Sequence, residues 1–130
     1  MEQQTPKPLK LYEAIRLGAM LRPKTKVRLF YGGGSCAIGA AMEASGIPYN
    51  TKLSFEEAEK VFPQLLEISV RHPVDLFRSE LKRIIWDLND NCGWTREQIA
   101  TWLEPIEEAY WAEKEKSQSA QIETPELVSA

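Results

Sequence analysis

Apolar positions along the chain fall mostly at helical spacing. Leu11, Tyr12, Ile15, Ala19 and Met20 make one face of a segment from Leu9 to Leu21, Lys10, Glu13 and Arg16 make the polar stripe, and Pro23 closes it. From Lys24 to Tyr31 the period changes to two. Lys24, Lys26 and Arg28 alternate with Thr25, Val27 and Leu29, the pattern of a half-buried strand. After Gly32-Gly33-Gly34, Ser35 offers an N-cap and Gly46 a stop to a segment whose side chains are nearly all small. Small side chains let neighbours approach closely, so this helix is expected at the centre of the fold. Gly39 inside it costs about 1 kcal/mol against Ala, a cost most easily offset where a Cβ would clash.

In the second half, Ser54-Phe55-Glu56-Glu57 is a capping box opening a short helix that Pro63 interrupts. Phe77, Leu81, Ile84, Ile85 and Leu88 define an amphipathic helix from Leu76 to Asn91 that stops near Gly93. A second capping box, Thr95 with Gln98, opens the last helix. Its apolar face is Ile99, Trp102, Leu103, Ile106 and Tyr110, and Pro105 predicts a kink or restart. The expected fold is mainly α, a compact bundle of about five helices with one short strand or hairpin before the second helix. Residues 1–8 form a disordered arm, 9–116 the single helical domain, and 117–130 a polar, aperiodic, disordered tail.

Composition adds limits on function. No apolar run reaches a membrane span, and the first residues lack the basic start and apolar stretch of a secretory signal. Two cysteines, Cys36 and Cys92, are too few for a disulfide scaffold, which points to a reducing, cytoplasmic setting. The net charge of −3 hides an asymmetry: residues 1–53 carry eight Lys or Arg against three Glu, and residues 54–130 carry eight against sixteen Asp or Glu. Halves that pack together and attract explain this most simply. An anion site in the first half with a cationic partner for the second is the sharper alternative.

Four features could carry chemistry. Gly32 to Ala37 fits the dinucleotide spacing G-x-G-x-x-A. Free N–H groups at Gly33, Gly34 and Ser35, preceded by Lys26 and Arg28, could hold a phosphate. No β-α-β repeat follows and no Lys-Ser or Lys-Thr pair makes it a P-loop, so a turn that seats the small-residue helix is the simpler account. Cys36, at a helix start, and His72, the single histidine with Asp75 nearby, allow a Cys-His-Asp hydrolase to be drawn, but an inert buried cysteine is the commoner case. The segment from Thr95 to Leu103 looks like the first helix of a helix-turn-helix unit, yet the acidic residues after it would be repelled by phosphate, which argues against nucleic acid. Trp86 falls opposite the core face of its helix, near Ser79, Lys82, Arg83 and Asp90. Trp111 falls near Glu104, Glu107 and Glu108. Each is a partner-binding candidate unless another segment covers it. Two cysteines and one histidine at wide spacing match no metal-ligand motif, and no cofactor is implied.

Gly34-Ser35-Cys36-Ala37-Ile38-Gly39-Ala40-Ala41 together with the stretch from Leu88-Asn89-Asp90-Asn91-Cys92-Gly93-Trp94 through Thr95-Arg96-Glu97-Gln98-Ile99-Ala100-Thr101-Trp102-Leu103 resembles small uncharacterised proteins of bacteria and their phages. The likeness spans much of the chain and implies no activity. The leading expectation is therefore a protein-binding or regulatory protein that acts on a host protein, or on a second copy of itself, through Trp86, Lys82, Arg83 or Trp111, with no membrane partner. Small-anion or nucleotide binding at the glycine loop is the alternative, and a thiol hydrolase is third.

Overall fold

A computed structural model describes residues 9–129, with side chains described as far as Ser117. The arm at residues 1–8 lies outside the described residues. Among these there are six helices and two antiparallel hairpins, in the order α1 Leu11–Gly18, β1 Phe30–Tyr31, β2 Gly34–Ser35, α2 Ala37–Ala44, α3 Phe55–Val61, α4 Gln64–Glu67, β3 Ser69–Arg71, β4 Arg78–Glu80, α5 Leu81–Asp90 and α6 Arg96–Ser129. The mainly helical class stands. The count rises by one helix and one hairpin, because the chain after Pro63 makes a short turn of helix and then β3 instead of a loop.

The small-residue helix is central. α2 packs on α1 and α5, and its residues Ala37 to Met42 are all buried. The approach of α1 is so close that a Cβ on Gly18 would stand 1.8 Å from the carbonyl oxygen of Ala40. On another side, a Cβ on Gly39 would stand 2.1 Å from the carbonyl oxygen of Leu29. These two glycines let three backbone segments touch. Leu81, Ile84, Ile85, Leu88, Ile99 and Leu103 from α5 and α6 fill the rest of the core.

Several local expectations are corrected. The alternating segment from Lys24 to Tyr31 forms a strand only at Phe30–Tyr31, because Val27 turns left-handed at φ 75° and breaks the period of two. Ser35 belongs to β2, and Cys36 is the N-cap of α2, its Sγ accepting from Gly39 N at 3.4 Å. α5 begins at Leu81, five residues later than its pattern suggests, because Arg78 to Glu80 pair with β3; Phe77 is 37% exposed and lies outside the core. Pro105 neither kinks the chain into two helices nor restarts it. α6 is one helix that runs through Pro105, and Thr101, whose carbonyl Pro105 leaves without its helical donor, is exposed. The backbone of residues 117–129, where composition predicts disorder, continues that helix.

Two buried polar groups join the ends of the chain. Glu107, fully buried, accepts from Leu11 N and Tyr12 N at 2.8 Å, from Gln64 Nε2 at 2.9 Å and from Trp111 Nε1 at 2.9 Å. It thereby satisfies the orphan donors at the start of α1 with a full negative charge at the positive end of the helix. Arg96, also buried, donates to Ser35 O at 3.2 Å, Ser35 Oγ at 3.0 Å, Ala19 O at 3.3 Å and Arg22 O at 2.7 Å. Among the described residues no carboxylate pairs with it, and burial pushes the guanidinium below its ordinary value.

Candidate functional site

The glycine loop is the turn of the first hairpin. Gly32 and Gly33 hold φ of 60° and 83°, the two left-handed positions a tight hairpin turn demands. Gly33 N donates to Tyr49 Oη at 2.8 Å. Ser35 is fully buried, its N–H donating to Pro23 O and its Oγ accepting from Arg96. The first N–H groups of α2 are used inside the protein as well: Ala37 N meets Asn89 Oδ1 at 3.2 Å, and Gly39 N meets Cys36 Sγ. Lys26 and Arg28 are exposed, and Arg28 stacks on Tyr31. The donors a phosphate would need are therefore spent on neighbouring residues.

Cys36 is only 4% exposed, and burial pushes its thiol up to about 11. His72 is elsewhere engaged. It is fully buried in the loop between β3 and β4, where its Nδ1 accepts from Val74 N at 3.1 Å and Asp75 N at 3.0 Å. The ring proton therefore sits on Nε2, which donates to Asp87 Oδ2 at 2.7 Å. The sulfur beside it is Cys92, at 3.9 Å from Nε2 and 3.7 Å from Asp87 Oδ2. Both acidic groups thus approach the same nitrogen, so the ring cannot relay a proton from thiol to carboxylate as a hydrolase triad requires. A hydrogen bond from Asn91, and then the one from His72, hold Asp87 below the usual carboxylate range. Burial and the Asp87 charge push Cys92 up. His72, Asp75, Asp87 and Cys92 nevertheless bring four ligand-type atoms within 4.8 Å of one another. Sequence reading missed this group. Its signals were Asp75 three residues after His72 and Cys92 five after Asp87, weak marks that only the β3–β4 hairpin makes meaningful.

The tryptophans part company. Trp111 is half-buried, its ring nitrogen spent on Glu107, with Leu9, Lys10 and Phe62 among the residues around it. Trp86 is 41% exposed and lines a groove of about 470 Å³ with Val27, Phe55, Glu80, Lys82 and Arg83. The Arg83 guanidinium lies 5.5 Å from the centre of the Phe77 ring, so Phe77 borders the groove of Val27 and Trp86 through Arg83. Lys82 is paired with Glu59, whereas Arg83 forms no ion pair among the described residues. Of the other two residues that the helical period places near Trp86, Ser79 lies in β4 and pairs in the hairpin, and Asp90 accepts from Val27 N at 2.8 Å.

The segment from Gly34 to Ala41 and the segment from Leu88 to Leu103 meet in space. Arg96 grips Ser35, and Asn89 holds both Ala37 N and, at 3.0 Å, Thr25 O. The two segments make the central joint of the fold, and the Trp86 strip lies beside that joint. No family model, no curated protein sequence and no solved structure matches the chain.

Proposed function

We propose that the chain is a non-enzymatic protein-binding module whose partner docks on the strip of Val27, Trp86, Arg83 and Phe77. One observation carries this reading. Among the described residues, the two non-glycine positions held left-handed are Val27 (φ 75°) and Leu76 (φ 67°), and both are exposed aliphatics, at 68% and 61%. A β-branched residue in that region is strained, and strain persists only where surrounding contacts impose it. Asp90 imposes it at Val27 through the backbone N–H, and His72 braces the loop that carries Leu76, whose N–H donates to His72 O at 3.0 Å. Backbone strain is thus borne at two places that present apolar side chains to solvent, and one of them, Val27, lines the same groove as the exposed Trp86. Apolar patches with a central Trp and an available Arg are the composition of binding hot spots.

The partner chemistry follows: an apolar side chain that enters the groove and a carboxylate that reaches Arg83. Affinity capture with the wild type and with the double variant Trp86→Ala/Arg83→Glu tests the reading. The variant should fold normally, with a stability change of about 1 kcal/mol or less for substitutions on an exposed face, and should lose its partner. Sedimentation of both proteins covers a second copy of the chain as occupant. A partner retained equally by both proteins, with no change in self-association, would refute docking on this strip.

A further inference from the structure

We infer that His72, Asp87 and Cys92, with Asp75 beside them, form a binding site for a divalent transition-metal ion of the zinc type. A tetrahedral ion with bonds of 2.0–2.3 Å to nitrogen, oxygen and sulfur sets its ligands about 3.3–3.6 Å apart. The three measured separations are 2.7 Å between Nε2 and Oδ2, 3.9 Å between Sγ and Nε2, and 3.7 Å between Sγ and Oδ2. An expansion of one edge and a slight contraction of the other two makes the triangle a ligand face. The donor set, one imidazole, one thiol and carboxylates, is the borderline-soft mixture that suits zinc and cobalt and does not suit magnesium or calcium. Cys92 and Asp87 are half-buried and Asp75 is exposed, which leaves the ion a path from solvent.

Loading has a definite proton balance. The thiol of Cys92 gives up its proton to solvent as the metal–sulfur bond forms. The imidazole stays neutral, so the proton on Nε2 moves to Nδ1 as the metal–nitrogen bond forms. Nδ1 then ceases to accept from Val74 N and Asp75 N, whose residues are exposed and turn to water. Metal at this site therefore loosens the loop that presents Leu76 and Phe77. This inference stands on the ligand geometry and is independent of the docking strip.

The test is titration of metal-free, full-length protein with Co(II), followed by the near-ultraviolet sulfur-to-cobalt charge-transfer band and by competition with Zn(II). The wild type should show a saturable band that Zn(II) abolishes. Cys92→Ala should lose the band, and Cys36→Ala should keep it. Asp75→Asn should weaken binding by about 10–100-fold if it orients or completes the set. Amide exchange at Val74 and Asp75 should accelerate on loading with Zn(II). The inference is overturned if no band appears, if the band survives Cys92→Ala, or if the two amides keep their protection in the loaded protein. Cys92 is half-buried, so its variant should fold, and circular dichroism checks this where His72→Gln would not serve.

Discussion

Replacing Gly39 by Ala tests the close approach on which the fold depends. The added Cβ would stand 2.1 Å from the Leu29 carbonyl oxygen, against 3.4–4 Å for ordinary contact, so the Leu29 backbone must withdraw by more than an ångström. That oxygen accepts from Cys36 N at 3.0 Å, and Leu29 is 1% exposed, so a withdrawn carbonyl has neither partner nor water. Overpacking of this kind costs about 1–3 kcal/mol, and an orphaned buried backbone group about 1–3 kcal/mol more. Alanine returns about 1 kcal/mol through helix propensity. The expected net loss is about 1–5 kcal/mol, a large part of a typical domain stability of roughly 5–15 kcal/mol. Urea unfolding followed by tryptophan fluorescence measures it. Gly46→Ala is the comparison: nothing lies within 4 Å of the added atom, and only the left-handed φ of 100° is charged, about 1–2 kcal/mol. A Gly39→Ala protein as stable as wild type, or more so, would refute the backbone contact.

Arg96→Met should cost roughly 2–5 kcal/mol in the same assay, because it strands the buried Ser35 and the part-buried carbonyls of Ala19 and Arg22; Arg96→Lys should recover only part, since an ammonium lacks the guanidinium fork. Cys36 should react far more slowly than Cys92 with a thiol reagent in the native state, and equal rates would contradict its burial. The raised Cys36 value also predicts a pH effect. The folded form keeps a proton that the unfolded chain loses near 9.0, so the stabilisation is intact below pH 9 and is lost as pH rises through about 11. That loss is about 2–3 kcal/mol, and unfolding at pH 8 and pH 11 should show it shrink in Cys36→Ala; Tyr110, raised to about 12, contributes equally to both proteins.

The parts of the fold that local rules govern were legible. The capping residues Ser54 and Thr95 bond Glu57 N and Gln98 N as their spacing implies. The helical stripe from Leu81 to Leu88 and the packing value of Gly39 also read directly from the pattern. What failed were features decided by distant partners. Glu107 looks like one more acid on a polar stripe until the start of α1 arrives to use it, and nothing local marks Gly18 as a contact with Ala40. The β3–β4 hairpin was hidden because Phe77 continues the helical period of α5 by coincidence. A pairing register between Ser69 and Glu80 overrode that period. The metal-type cluster was hidden for the same reason, since its four residues come from the β3–β4 loop, from α5 and from the turn after it, which only the hairpin brings together.

The uneven charge of the two halves now has an internal account, and that account narrows the choice of partner. Arg16 pairs with Glu97 at 2.9 Å and with Glu104 at 3.5 Å, and Lys10 pairs with Glu108 at 2.8 Å, so α1 and α6 answer each other. Glu107 is spent on the start of α1, and Glu67 meets Lys114 and Tyr110. The acids of the last helix that could have imitated a nucleic acid are thus largely committed to holding the chain together. An ion pair on the surface is worth little by itself, but a committed charge is a poor lure for a distant cation because its field is already cancelled nearby. Arg83 is the contrast: it stacks on Phe77, forms no ion pair among the described residues, and stands beside an exposed Trp. Complementarity on this protein therefore favours an acidic, apolar partner over a basic one. Salt should slow association with such a partner, and Arg83→Glu should slow it, whereas reversing an exposed acid on α6 should not.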